Sequence, residues 1–467
     1  MTSLHAFGDD VLDDLDAVGL VERIQSGTVS VPEVVDAAIA RVEAVNPDLN
    51  AVAWSAFDRA RVLARDPHGG YFAGIPTFVK DNVDVAGMPT QQGSDAYVAR
   101  PAKEDGDFAR MYLATGLLPL GKTQLSEFGF SASAEHARLG SVRSPWHRDH
   151  TAGASSAGSA ALVAAGAVPL AHANDGGGSI RIPASVNGLV GLKPTRGRLA
   201  QDKMMRDMPV RIVSDGVLTR TVRDTAAFYR EAEKVYRNLA LAPVGDITRP
   251  GHHRLTVAVV TESLGRGASP EVRELALKTA ALLEELGHRV TEVDAPVPDS
   301  FRDDFLLYWS MLAMAIVRAG RLNQGRSWDA AKLDELTLGL ARHCRRNAWR
   351  LPLSISRLAR SKARSARFFE EYDVCLTPTV ATATPLLGHL DPAGGYEQTI
   401  ERLMDWVAFT PVQNATGEPA ISLPLATTAA GLPQGMMFAA GAGREAMLLE
   451  LAYELEAAAP FARIQAV

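Results

Sequence analysis

Gly153-Ala154-Ser155-Ser156-Ala157-Gly158 opens one stretch of the chain, and Asn174-Asp175-Gly176-Gly177-Gly178-Ser179-Ile180-Arg181 closes it, with an alanine- and valine-rich run to Ala173 between them. Two glycine-rich loops thus bracket one buried helix-and-strand unit and set a serine in each loop. Glycine lets backbone amides approach a ligand closely, because it has no Cβ and tolerates positive φ. Successive free amides can form an oxyanion hole, aimed at the charge that develops on a tetrahedral intermediate. Gly176, Gly177 and Gly178 are the candidate donors. A glycine triplet alone is more often a tight turn, so the reading depends on its company.

The company is a lysine. Gly74-Ile75-Pro76-Thr77-Phe78-Val79-Lys80-Asp81 reads as an apolar strand that ends on Lys80. A serine hydroxyl is a poor nucleophile until a neighbouring base takes its proton. No histidine is an evident base: the chain lacks a Gly-x-Ser-x-Gly elbow, and His136, His147, His150 and His172 stand in no triad-like pattern. A free lysine, with a pKa near about 10.4, is charged and useless as a base. Burial beside Phe78 and Val79 should lower that value until the amine can accept a proton.

On these residues the chain resembles the amidase signature family, hydrolases that use a Ser–cis-Ser–Lys triad. The resemblance spans nearly the whole chain and is strongest from Gly153 to Gly191, where Ser155 stands 24 residues before Ser179 of an Asp-x-Gly-Gly-Ser motif. It implies that Ser179 is the nucleophile, that Ser155, after a cis peptide from Ala154, relays the proton, and that Lys80 is the base. Ser156, Asp175 and Arg181 would support them. It also implies an α/β fold: a single domain, 1–467, with a central mixed β-sheet flanked by helices, a core over 60–240 and a helical insert over 301–369 near the substrate channel. The activity implied is hydrolysis of a small-molecule carboxylic amide to carboxylate and ammonia or amine through a seryl acyl-enzyme, with esters reacting too. No cofactor or metal is needed, and a homodimer is ordinary for the family.

Two departures stand out. Ala154 and Ala157 replace glycines of the commonest Gly-Gly-Ser-Ser-Gly-Gly form, which should narrow the pocket, and Gly176 stands where many relatives carry a larger residue. The segments 174–185 and 188–197 look nearest to bacterial amidases of aliphatic or aryl amides and to hydrolases of the cyclic 6-aminohexanoate dimer. Loops near Gln91–Ser94 and Asp405–Gln413 are expected at the pocket. Two alternatives stay open: the amidase subunit of a glutamine-dependent amidotransferase, and an inactive binding scaffold, which retention of all three triad members disfavours.

A competing motif, Gly116-Leu117-Leu118-Pro119-Leu120-Gly121-Lys122-Thr123, fits G-x-x-x-x-G-K-[ST] letter for letter. Its context argues against phosphate binding: Phe108–Thr115 reads as an amphipathic helix before it, and Leu117–Leu120 as a buried strand.

With 467 residues, 47% hydrophobic and 22% charged, the chain can bury an ample core. Its formal charge of −6 argues against a nucleic-acid partner. A local exception is Arg342 to Phe369, with nine lysines and arginines and no acid. It reads as a solvated helix face, with steering of an anionic substrate or partner as the other reading. Two cysteines, Cys344 and Cys375, fit a reducing compartment. With no secretion-like start and no apolar run of about 20 residues, the sequence suggests a cytoplasmic protein away from membranes. No His/Cys spacing suggests a metal.

Ser30 and Glu33 form a capping box for a helix that Asn46-Pro47 should stop. Leu255–Val260, Pro270–Leu286 and Val290–Val293 read as a β-α-β unit, Leu333, Leu336 and Leu340 as one buried helix face, Tyr372–Pro378 and Gly417–Pro424 as late strands, and Glu445–Glu456 as the closing helix.

Overall fold

Apolar β-branched runs bounded by glycine and proline set the strands, and the computed structural model, which describes residues 3–466, assembles them into two principal sheets and two short two-stranded ribbons. The larger is eight-stranded, in the order Arg289–Glu292, Thr256–Val259, Val374–Pro378, Pro433–Ala440, Ala420–Thr427, Val190–Lys193, Ser214–Thr219 and Leu170–Asp175. The first three strands run parallel and the remaining pairs antiparallel, so the sheet is mixed as expected. Its central strands, such as Val374–Pro378 and Pro433–Ala440, are buried along their whole length, which their near-continuous apolar sequence requires. Thr256–Val259 and Arg289–Glu292 are joined by the helix Pro270–Glu285, which is capped by Ser269 and closed at Gly287, φ +89°.

The smaller sheet has three strands, Val52–Ser55, Leu118–Thr123 and Pro76–Lys80. The strand that carries Lys80 therefore lies outside the main sheet. Leu118–Thr123 is buried throughout and occupies most of the phosphate-loop match. Lys122 Nζ bonds Asp81 Oδ1 at 3.1 Å and Thr90 Oγ1 at 3.2 Å, so the motif's lysine is committed to a buried ion pair.

The Val31–Leu49 helix begins with the Ser30–Glu33 capping box but runs through Pro47, where the sequence suggested a stop. The missing N–H falls in the last turn, and Asn46 Oδ1 takes over that end by accepting from the Ala51 and Val52 amides at 2.8 and 2.9 Å. Three helices follow the β-α-β unit: Phe301–Gln324, Glu335–Asn347 and Leu351–Glu371. Leu336 and Leu340 are buried on the second, whereas Leu333, also buried, precedes it. The helical segment Phe301–Ser327 is long and apolar enough to cross a bilayer by length and composition, although Arg318 and Arg321 interrupt its apolar run. Phe305 and Trp309 on this helix face a cavity described below. In the basic run, Arg346, Arg357, Arg360, Lys362, Arg364 and Arg367 are exposed.

Candidate active site

The all-buried Pro76–Lys80 strand delivers Lys80 to the junction of the two sheets. There its amide donates to His172 Nδ1 at 3.2 Å, and His172 Nε2 lies 3.2 Å from Asp215 Oδ1, both on strands of the large sheet. The Lys80 side chain is fully buried. Its Nζ reaches Ser155 Oγ at 2.7 Å and Asn174 Oδ1 at 2.7 Å. Asn82 and Asn174 bond each other amide to amide at 3.1 and 3.2 Å, which fixes the oxygen that receives Lys80. Burial pulls the Lys80 amine down to about 7, against the opposing charges of Asp175 and Asp215, so an appreciable neutral fraction exists near neutral pH.

The Ala154–Ser155 peptide is cis. Ser156 then starts the helix Ala157–Ala164 and donates its hydroxyl to the Ser179 carbonyl at 2.6 Å, tying the two glycine-rich loops together. Gly129 packs directly over Ser155, where an added Cβ would stand 3.2 Å from its Oγ. Ala154 lines the cavity beside Ser179, and Ala157 is buried in the core. Among the described residues no hydrogen bond joins Ser155 Oγ to Ser179 Oγ, so the structure brings Lys80 and Ser155 into contact but leaves the two hydroxyls unlinked.

Asp175 ends its strand fully buried and organises the glycine loop. Its Oδ1 accepts from the Gly178 amide at 2.7 Å and its Oδ2 from the Ile180 amide at 3.2 Å. Arg181 closes on it with two prongs, Nε to Oδ2 at 2.8 Å and Nη2 to Oδ1 at 2.9 Å. Burial alone would raise the carboxyl, but the Arg181 charge and hydrogen bonds outweigh it and hold Asp175 at about 2. Asn414 adds a donor to Asp175 at 2.8 Å and an acceptor for Arg181 at 2.7 Å, and Gln413 accepts from Arg181 at 3.0 Å.

This arrangement corrects one expectation. The Gly178 amide already serves Asp175, so it is not free to receive an oxyanion; the loop amides without a partner among the described residues are those of Gly176, Gly177 and Ser179. Gly178 is needed for shape, with φ +135° and an added Cβ that would overlap Thr410 Oγ1. Thr410 in turn donates to the Gly177 carbonyl at 2.6 Å. The glycine at 176 has a packing reason as well: a Cβ there would already stand 3.3 Å from Trp309, leaving no room for a larger residue.

Ser179 opens onto a cavity of about 690 Å³, open mouth included, walled by Phe130, Ile182, Phe305, Trp309, Leu403 and Val407, with Arg302 the one ionisable lining side chain among the described residues. The expected loop Asp405–Gln413 contributes Val407 and Pro411 to it. Gln91–Ser94 instead braces other groups, the Gln91 amide on Asp81 at 3.0 Å and Ser94 Oγ on Glu127 at 2.7 Å. Sequence reasoning missed Asn82, Asn174, His172, Asp215, Thr410, Gln413 and Asn414. Asn174 lies within the second glycine-rich motif, Asn82 directly follows the Lys80 strand, and Thr410 and Gln413 fall in the loop expected at the pocket; His172, Asp215 and Asn414 reach the site only through tertiary contacts. Among the described residues no group of three or more His, Cys, Asp or Glu side chains is placed to hold a metal ion.

A sequence profile of the family described as Amidase matches residues 33–449. The chain is 64% identical over 466 residues to the Mycobacterium leprae (strain TN) protein named "Putative amidase AmiC", covering 100% of this chain and 99% of that one. It is 33% identical over 478 residues to the 6-aminohexanoate-cyclic-dimer hydrolase of Pseudomonas sp. (strain NK87), covering 96% and 95%. A solved structure of 6-aminohexanoate cyclic dimer hydrolase complexed with substrate superposes with a TM-score of 0.87 at 31% identity, covering 97% of this chain and 98% of that one.

Proposed function

Because the chain belongs to the amidase family and is an amide C–N hydrolase, we propose that it works through an acyl-enzyme on Ser179, with Ser155 as proton relay and Lys80 as base. The observation that carries this reading is the 2.7 Å contact of a fully buried Lys80 Nζ with Ser155 Oγ, directly behind the cavity onto which Ser179 opens. Neutral Lys80 takes the Ser155 hydroxyl proton while Ser155 takes that of Ser179, whose Oγ forms the bond to the carbonyl carbon. The free amides of Gly176, Gly177 and Ser179 receive the oxyanion, where each donor is worth about 2.7–4 kcal/mol of barrier. On collapse the C–N bond breaks, the departing nitrogen takes the Ser155 proton, and Ser155 recovers one from the Lys80 ammonium. Water repeats the sequence on the acyl-enzyme and releases the carboxylate. Catalytic hydrogen bonds of this kind tighten as substrate seats, which accommodates the unlinked Ser155 and Ser179 hydroxyls.

Esters should react by the same steps. The lining weighs against glutamine, whose α-ammonium would find no acidic partner among the lining side chains and would sit near the Arg302 charge, and so against the amidotransferase subunit. The test is mass spectrometry of protein quenched during turnover of a slow amide or ester: the acyl mass should appear on the peptide containing Ser179. An acyl group found elsewhere, or turnover retained by Ser179→Ala, would overturn the assignment.

A further inference from the structure

Strands Glu262–Ser263 and Arg266–Gly267 pair antiparallel around a two-residue turn, Leu264-Gly265, with φ of +55° and +70°. A turn with both central residues at positive φ suits the twist of a hairpin, but Asn, Asp or Gly normally fill it. A leucine there is strained. Its side chain is not spare: it lines the Ser179 cavity and packs against the cluster that contains Phe301, Phe305 and Tyr308. The hairpin also meets a second element of the cavity, since Arg266 forms a partly exposed ion pair with Asp405, Nε lying 2.6 Å from Oδ1, on the Tyr396–Trp406 helix, which supplies Ile400, Leu403 and Met404 to the lining. Backbone strain retained where a smaller residue would relieve it marks a functional position.

The lining also has a direction. Gly129 and Ala154 border Ser155, whereas the stacked pair Phe305 and Trp309, 6.0 Å apart, borders Gly176 and Gly177. In the reaction proposed above the departing nitrogen must face Ser155 to receive its proton. The acyl group therefore extends toward the aromatic pair and Leu264.

We propose that Leu264 determines acyl specificity: the hairpin holds its side chain as an apolar wall of the acyl site, selecting amides of uncharged alkyl or arylalkyl acids over acetyl-sized ones. Arg302, the one ionisable lining residue, disfavours cationic chains. The inference rests on the reading of Ser179 as nucleophile.

The experiment measures ammonia release from acetamide, butanamide, hexanamide and 3-phenylpropanamide by the wild-type chain and by Leu264→Asn and Leu264→Gly. For the wild-type chain kcat/KM should rise with acyl length. Each variant should lower the hexanamide-to-acetamide ratio of kcat/KM about tenfold, the usual effect of losing one apolar contact in a pocket. The ratio is taken on one preparation, so a loss of folded fraction does not move it. Melting temperatures at or above wild type would further support relief of the strained turn. An active wild-type chain with no rise in the series, or a ratio changed less than twofold in both variants, overturns the role of Leu264 and leaves Ser179 standing. Release that survives Ser179→Ala, or no release from any amide, overturns the underlying reading and this one with it.

Discussion

Asp175 and Arg181 form a two-pronged ion pair with no solvent exposure on either side chain, and the pair holds the loop that presents Ser179. Removing one member leaves the other charged, buried and unpaired, which typically costs about 3–5 kcal/mol. Asp175→Asn should therefore unfold at clearly lower urea concentration and lose activity together with stability. Urea melts with unchanged midpoint would show that the pair does not organise the loop.

Catalysis should follow the Lys80 proton. With the amine at about 7 and its neutral form acting as base, kcat/KM should rise as pH increases through about 7 and level off above it. A profile flat from pH 5.5 to 8.5 would remove Lys80 from that role.

Stability should carry the same signature with a definite sign. The Lys80 amine titrates near 7 in the fold and near 10.5 when unfolded. Between those values the unfolded chain binds more protons, so this group's contribution makes stability rise with pH from about 7 to 10.5. Lys80→Met should flatten that rise, as read from urea midpoints at pH 7 and pH 9.5; equal slopes in the two proteins would contradict it.

Ser179→Ala and Lys80→Ala should each lower kcat by about 10⁴-fold or more, and the double variant should cost little beyond either, because groups that act as one unit are strongly non-additive. Multiplicative losses in the double variant would mean that the two residues serve separate steps. A serine-directed phosphonate should label the wild-type chain and not Ser179→Ala.

The glycine loop supplies a paired test. Gly178→Ala forces a Cβ onto Thr410 at φ +135°, whereas Gly177→Ala meets nothing nearer than Phe305 at 3.8 Å. The former should lose about 1–3 kcal/mol of stability, and the latter should fold near normally with its effect confined to turnover. Equal stability losses, measured by thermal melting, would show that loop geometry is not what selects glycine at 178.

Much of the site was legible in the chain because its chemistry is local. The two glycine-rich loops, the serines at 155 and 179 and the lysine ending an apolar strand are short patterns whose conformations glycine and apolar run length dictate, and the amidase resemblance rests on them. The β-α-β unit followed from periodicity and caps in the same way, and the α/β class and mixed sheet from the resemblance itself. The division into two sheets did not, because strand pairing depends on partners far apart in sequence: Lys80 and His172 carry no mark of the bond that joins their sheets. The occupied Gly178 amide could not be read either, since glycine spacing says nothing of which carboxylate will take the N–H. Sequence thus determined which groups are present and how their own loops bend. Tertiary structure decided which of them are buried, paired or free, because desolvation and hydrogen bonding are set by what packs against a group and not by what precedes it.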